Sequence, residues 1–233
     1  MPAAGDQGPG GPLELPPGAL ERIPAGSSGF CLRPVLEVAR DLLGRLLVHD
    51  APEGRSAVRI VETEAYDGAG HDPASHAYRG QTARNAVMFG PPGHLYVYLT
   101  YGMHECLNVV CAPAGTAQAV LLRAGEPVLG AELMAARRPL ARPRDLTRGP
   151  ARLAAALGLG RWANGADLRA GPVLLTAGWP VDDAAVAWTG RVGVANAIDR
   201  PWRAVVAASP WVSPGRPGPT ARQRSRLTAE RPR

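Results

Sequence analysis

Hydrophobic and polar positions recur along this chain with two different periods, and those periods lay out its elements. In "PVLEVARDLL" (34–43), Val35, Val38, Ala39, Leu42 and Leu43 fall on one face at helical spacing, and Gly44 is placed to stop the helix. "RLLVHD" (45–50) and "SAVRIVETEAY" (56–66) read as strands, and the stretch 67–85, full of Gly, Asp and Pro, reads as loop. "HLYVYLT" and "ECLNVVC" read as two strands joined by a tight "YGM" turn, a hairpin. "QAVLLRAGEP" (118–127) predicts a further strand, and "GEPVLGAELMAARR" a continuation into a helix. "TRGPARLAAALG" (147–158) predicts a helix with Pro150 in its first turn and Gly158 at its end. "GPVLLT", "GRVGVA" and "PWRAVVAASPW" predict later strands. Strands interleaved with few helices, mostly over short connections, give one α+β domain around a largely antiparallel sheet.

The ends differ from this middle. Residues 1–18 are rich in Gly and Pro and read as a disordered arm, residues 19–213 as the single domain, and residues 214–233 as a basic, disordered tail. The tail holds six arginines and one glutamate, so it carries +5 of the total +6 and leaves the body nearly neutral. Such a tail adds salt-sensitive affinity for nucleic acid, but the total charge does not describe a basic groove on the body. The chain has no lysine, which excludes a lysine Schiff base and a P-loop lysine. Its three cysteines (Cys31, Cys106, Cys111) cannot all pair and form no CxxC, so a reducing compartment is expected. No basic and apolar leader and no run of roughly 18–20 apolar residues is present, so a cytoplasmic protein without a membrane partner is expected.

Several polar residues stand where the pattern asks for apolar ones. In "VRIVETEAY", strict alternation puts Val58, Ile60, Glu62 and Glu64 on one face. If that face points inward, desolvation makes either glutamate a candidate general base; if the strand emerges into solvent, both are simply exposed. Periodicity favours the exposed reading and does not choose between the two residues. Asn108 lies among Cys106, Leu107, Val109 and Val110, and Arg123 lies within "VLLRAGE". A buried guanidinium needs a carboxylate or phosphate partner, and a structural Glu–Arg pair would satisfy it.

All five tyrosines lie between 66 and 101. Tyr96 and Tyr98 share one face of their strand, and Tyr101 falls at the hairpin turn, where an aromatic can act as a wedge for a base step. Tyr66, Tyr98 and His76 could supply flat walls for a stacked base. His71 and His76, with Asp67 and Asp72 nearby, match no zinc spacing, and a structural role is favoured over a metal.

The block "RIVETEAYDGAGHDPASHAYRGQTARNAVMFGPPGHLYVYLTYGMHECLNVVC", followed by "AVLLRAGEP", "GPARL", "RVGV" and "SPWVS" in order, resembles the alkyladenine (3-methyladenine) DNA glycosylases, bacterial members above all. The similarity runs from about residue 30 to 213. It implies a single mixed domain with a curved antiparallel sheet and a hairpin that enters the minor groove. It implies a monofunctional enzyme without a cofactor, acting on double-stranded DNA that contains damaged purines. It also implies the roles. Glu64 is the general base; Arg123 and the Val192 backbone carbonyl hold the attacking water. Tyr66, His76 and Tyr98 wall the base pocket, and Asn108 crowds the exocyclic amino group of normal guanine. Tyr101 fills the gap left by the flipped nucleotide. Arg152 is a phosphate contact, as is Arg84, in a loop where Ala83 replaces a proline common in the family. A monomer suits such an enzyme.

Three other readings compete, one of them an RNA-binding domain on a similar fold, which the base-flipping constellation disfavours. A bifunctional lyase needs an amine, and without lysine only the amino terminus of Pro2 could serve. A non-catalytic damaged-DNA-binding protein would keep the pocket and release no base.

Overall fold

The computed structural model describes residues 15–22 and 29–215. The arm before residue 15 and the tail from 216 lie outside the described residues. Among the described residues, three α-helices, α1 (Val35–Asp41), α2 (Ala131–Arg137) and α3 (Pro150–Leu157), accompany eight strands. The strands are β1 (Leu46–Ala51), β2 (Gly54–Tyr66), β3 (Leu95–Thr100), β4 (His104–Cys111), β5 (Gln118–Leu129), β6 (Val173–Thr176), β7 (Val186–Thr189) and β8 (Arg203–Val206). All pairings are antiparallel, in the order β3-β4-β5-β2-β1-β6, and β8 joins β2 to β7. This is the α+β fold expected, with a curved sheet.

The five apolar positions of the first helix are all buried, and α1 packs on β2 and β5. Gly44 follows at φ +88, where a Cβ would meet the Trp179 carbonyl at 2.2 Å. Pro150 opens α3, and Gly158 closes it in the left-handed conformation. The stripe Leu153, Ala154, Ala156, Leu157 packs α3 on β4 and β5.

The central strands sort their side chains by parity. Leu95, Val97, Leu107, Val109, Val120 and Leu122 point into the main core, on the helix side. Tyr96, Val110 and Ala119 point the other way, into a smaller cluster with Ala77 and Met88 from the long loop 67–94. That second face carries the site.

Two findings differ from the sequence pattern. Strict alternation fails in β2, whose register against β5 skips Val61 and then, on β5, Arg123. A bulge adds a residue and turns the strand over. Ile60 and Ala65 therefore both reach the main core, and the Thr63 hydroxyl donates to the Ala39 carbonyl of α1 at 2.8 Å. Glu62 and Glu64 are aimed at the opposite face, and both are fully buried, so the exposed reading does not hold. Second, "GRVGVA" is not a strand; the strand is β7, just before it. The Val192 amide is spent on a carboxylate and Arg191 turns inward to an aspartate, so the segment extends no strand beyond an isolated bridge at Val192.

Candidate active site

Loop 67–94, the hairpin β3–β4, strand β5 and the segment 190–196 enclose a cavity of about 500 Å³ on this second face. Beneath it lie two carboxylates with different partners. Glu62 Oε1 accepts from Arg123 Nε and Arg203 Nε, both at 2.7 Å, and from Ser213 Oγ at 2.9 Å. Its Oε2 accepts the Ser213 amide at 2.6 Å. Glu64 Oε1 accepts the Val192 amide at 2.7 Å and lies 3.3 Å from Arg123 Nη1. Its Oε2 accepts from the Tyr66 hydroxyl at 2.9 Å. Glu62 is thus saturated by structural donors. Glu64 sits just under Tyr66, Arg123 and Val192, all three of which line the cavity.

Burial opposes the charge on Glu62, but Arg123, Arg203 and the Ser213 amide outweigh it and hold its carboxyl below the ordinary 4.5. A carboxyl depressed in the folded state stabilises fully above its unfolded pKa, and the contribution is lost as pH falls through the folded value. Unfolding free energy measured by urea titration is therefore expected to decline below pH 4.5. The decline should be shallower in Glu62→Gln; an equal slope in the two proteins would contradict this.

The walls are aromatic. Tyr98 stands across the hairpin from Cys106, and its ring meets the His76 ring edge-on at 4.4 Å. Burial, followed by the charge of Glu64, raises the Tyr66 phenol well above its usual range, so it remains a donor to that carboxylate. Burial, then Cys106, does the same for Tyr98. Burial and the nearby Arg84 charge lower the His76 pKa, which favours a neutral imidazole facing the cavity. Its Nδ1 lies 3.2 Å from the hydroxyl of Tyr96, which is itself packed in the smaller core.

Asn108, opposite Tyr96 on β4, donates from Nδ2 to the Tyr96 carbonyl at 3.1 Å and lines the cavity. Tyr101 is 88% exposed at the hairpin tip with φ +50, a costly backbone for a bulky residue. Its neighbour Met103 is also exposed.

Of the ten residues singled out from the sequence, eight line the cavity: Tyr66, His76, Arg84, Tyr98, Tyr101, Asn108, Arg123 and Val192. Glu64 lies directly beneath. Arg152 does not line it. It stands in the first turn of α3, whose Pro150 does, and its guanidinium is paired with Asp145 at 3.1 Å. Arg84 lies over the Tyr98 ring and donates to the Leu99 carbonyl at 2.9 Å. Val192 meets Glu64 through its amide, a contact the sequence reading did not include. That reading weighed Asp72 only in the metal test and missed Arg191, Arg203 and Ser213; none has a periodic signal, because their partners are distant in sequence.

A curved antiparallel sheet thus carries a buried carboxylate under an aromatic-walled pocket, with an exposed tyrosine at the hairpin tip. The family model described as "Methylpurine-DNA glycosylase (MPG)" matches residues 29–210. A relative from Streptomyces avermitilis is 53% identical over 201 residues, covering 84% of this chain and 94% of its own. One from Methanocella arvoryzae is 50% identical over 200 residues, covering 84% and 99%. One from Burkholderia lata is 50% identical over 198 residues, covering 83% and 91%. Each of the three is named "Putative 3-methyladenine DNA glycosylase". The chain belongs to the methylpurine-DNA glycosylase family, hydrolases that act on N-glycosyl bonds in DNA.

Proposed function

We propose that this protein is a monofunctional base-excision-repair glycosylase. It flips alkylated purines of the 3-methyladenine type out of duplex DNA and hydrolyses their N-glycosidic bond, leaving an abasic site. Hypoxanthine and ethenoadenine are further candidate substrates; both are neutral, so each needs a proton delivered to the base as it leaves. The observation that carries this reading is Glu64, buried and fixed at both oxygens, under a cavity walled by Tyr66, Tyr98 and His76. The names of the relatives support the substrate.

The chemistry follows from that geometry. Breaking the C1′–N bond sends its electron pair to the base and builds positive charge on the sugar. A water oxygen bonds to C1′ while Glu64 takes the water's proton, and the carboxylate also stabilises the sugar cation. Arg123 and Val192 hold the water against the carboxylate. An alkylated purine is already cationic, so it leaves as a neutral base. Electron-rich tyrosine faces favour such a cation by roughly 0.5–2 kcal/mol each. A neutral His76 does so without opposing charge. Asn108 excludes normal guanine by crowding its amino group, and damaged bases unpair more cheaply, which aids their selection. Arg84 and Arg152 serve the phosphate backbone once released from Leu99 and Asp145. The protein acts as a monomer in the cytoplasm, on the nucleoid.

Tyr101 fills the space vacated by the flipped nucleotide. Tyr101→Ala is expected to leave the unfolding midpoint nearly unchanged, within about 0.5 kcal/mol, because the side chain is exposed. Affinity for a duplex carrying an abasic-site analogue is expected to fall roughly 10-fold, the loss of one stacking contact. Equal affinities in a titration of the two proteins would remove the wedge role.

The direct test is base release from labelled duplexes carrying 3-methyladenine, 7-methylguanine, ethenoadenine or hypoxanthine, with alkali to reveal abasic sites. Release of an alkylated purine without strand cleavage before alkali supports the reading. Binding without release would make this a damaged-DNA-binding protein on the same scaffold, and a borohydride-trapped adduct would make it a lyase.

A further inference from the structure

We propose that the buried pair Asp72–Arg191 is the positioning device of the site, setting the rotamer of Glu64 through two separate routes. The inference rests on the reading of Glu64 as general base.

Arg191 is 1% exposed and Asp72 fully buried. The guanidinium is gripped along one edge. Nη1 donates to Asp72 Oδ2 at 2.5 Å and to the Ala65 carbonyl at 2.9 Å, and Nη2 donates to Asp72 Oδ1 at 2.9 Å. Among the described residues, Nε is buried without a hydrogen-bond partner, so the hold runs through the Nη edge alone. A bidentate fork fixes orientation as well as distance.

Both donors to Glu64 hang on this fork. Val192, next in the chain, presents its amide to Oε1, so the place of Arg191 sets the place of that N–H. The Arg191 guanidinium lies over the Tyr66 ring at 4.7 Å, and the hydroxyl of that ring serves Oε2. The Trp202 ring lies 5.3 Å from the same guanidinium. The anchor on Ala65 ties the same guanidinium to the strand residue between Glu64 and Tyr66. Asp72 reaches further: its oxygens accept the Asp67 and Ala74 amides at 3.3 and 3.2 Å, and Arg200 Nη1 lies 3.8 Å away. Ala74 and Pro73 line the cavity and lead to His76. One ion pair therefore joins the end of β2, the segment 190–196 and the loop that carries His76. Arg123 also lies 3.3 Å from Oε1, but both hydrogen-bond donors to the reacting carboxylate lean on the Arg191 guanidinium, which a stability role alone would not require.

A general base displaced by about 1 Å loses roughly 100-fold in rate without losing substrate. The test is single-turnover base release by the full chain, per active site titrated with a duplex carrying an abasic-site analogue. Parent, Asp72→Asn, Arg191→Lys and Glu64→Gln are compared on a lesion that the parent releases. Asp72→Asn keeps the shape and removes the charge; Arg191→Lys keeps the charge and removes the fork. If one does not fold, the other carries the test. The expected result is a rate lower by roughly 10- to 100-fold, with affinity for the analogue within about threefold of the parent. A rate per active site within about twofold of the parent in either folded variant would overturn the proposal, whatever the change in Tm. So would an affinity loss that matches the rate loss. If Glu64→Gln releases base at the parent rate, the general-base reading itself fails, and this outcome is distinct from the other two.

Discussion

Glu64→Gln is expected to lower the single-turnover rate of base release by roughly 10²–10⁴-fold, the usual share of a positioned general base. The amide is the same size and keeps an acceptor for the Val192 N–H or the Tyr66 hydroxyl, so the fold is expected to survive. What it loses is the ability to take a proton from water and the negative charge beneath the forming sugar cation. The neutral amide also frees Arg123 from one of its two counter-charges while leaving Glu62 in place at 2.7 Å. DNA affinity should therefore change little. Measured against labelled duplex, unchanged release would transfer the role of base to another group, and Glu62, saturated by Arg123, Arg203 and Ser213, is poorly placed to take it.

Removal of Arg123 is expected to have the largest effect on stability. This side chain is 6% exposed and serves both carboxylates, at 2.7 Å to Glu62 and 3.3 Å to Glu64. Burial disfavours its charge, but the two glutamates more than offset that and hold its pKa above the ordinary value. Taking away this guanidinium leaves Glu64 buried without its cation and Glu62 with Arg203 alone, and breaking a buried ion pair in this way costs about 3–5 kcal/mol. For a domain of this size that is a fall in Tm of roughly 6–20 °C. Arg123→Met keeps most of the volume, so the loss would be electrostatic rather than a cavity. Adding Glu64→Gln to Arg123→Met should recover part of the loss, because the carboxylate left without a cation is then removed while Glu62 keeps Arg203 at 2.7 Å. A denaturant titration in which Arg123→Met costs less than about 1 kcal/mol would show that the pair is solvated. The same substitution removes a group proposed to hold the attacking water, so base release should fall in parallel even at a temperature where the variant is folded.

Much of the fold was legible in the pattern. Helical spacing in α1 and α3, the apolar alternation of β3 and β4, and the Gly and Pro punctuation are local signals. They translate directly into burial, since the apolar stripe and the core-facing positions are the same residues. The tyrosine cluster was legible for the same reason: parity separated Tyr96 and Tyr98 from Leu95 and Val97, and the tip position singled out Tyr101. Anomalies of polarity, Asn108 and Arg123 in apolar strands, marked the pocket. The motif block, by its resemblance, chose Glu64 over Glu62.

The bulges in β2 and β5 were not legible, because a period of two carries no mark of an extra residue. Yet they turn the glutamates away from the helices and toward the cavity. "GRVGVA" misled for a related reason. Its apolar residues fit a strand, but its amide and guanidinium find better partners in Glu64 and Asp72, 128 and 119 residues away in sequence. The sequence by itself determined the α+β class, the core faces, the aromatic concentration and, through its motif block, the family. Only the tertiary structure decided which carboxylate is saturated by structural donors, which lies under the pocket lining, and which ion pair stands behind its two hydrogen-bond donors. Those choices depend on hydrogen bonds and desolvation between distant segments, and no local period records them.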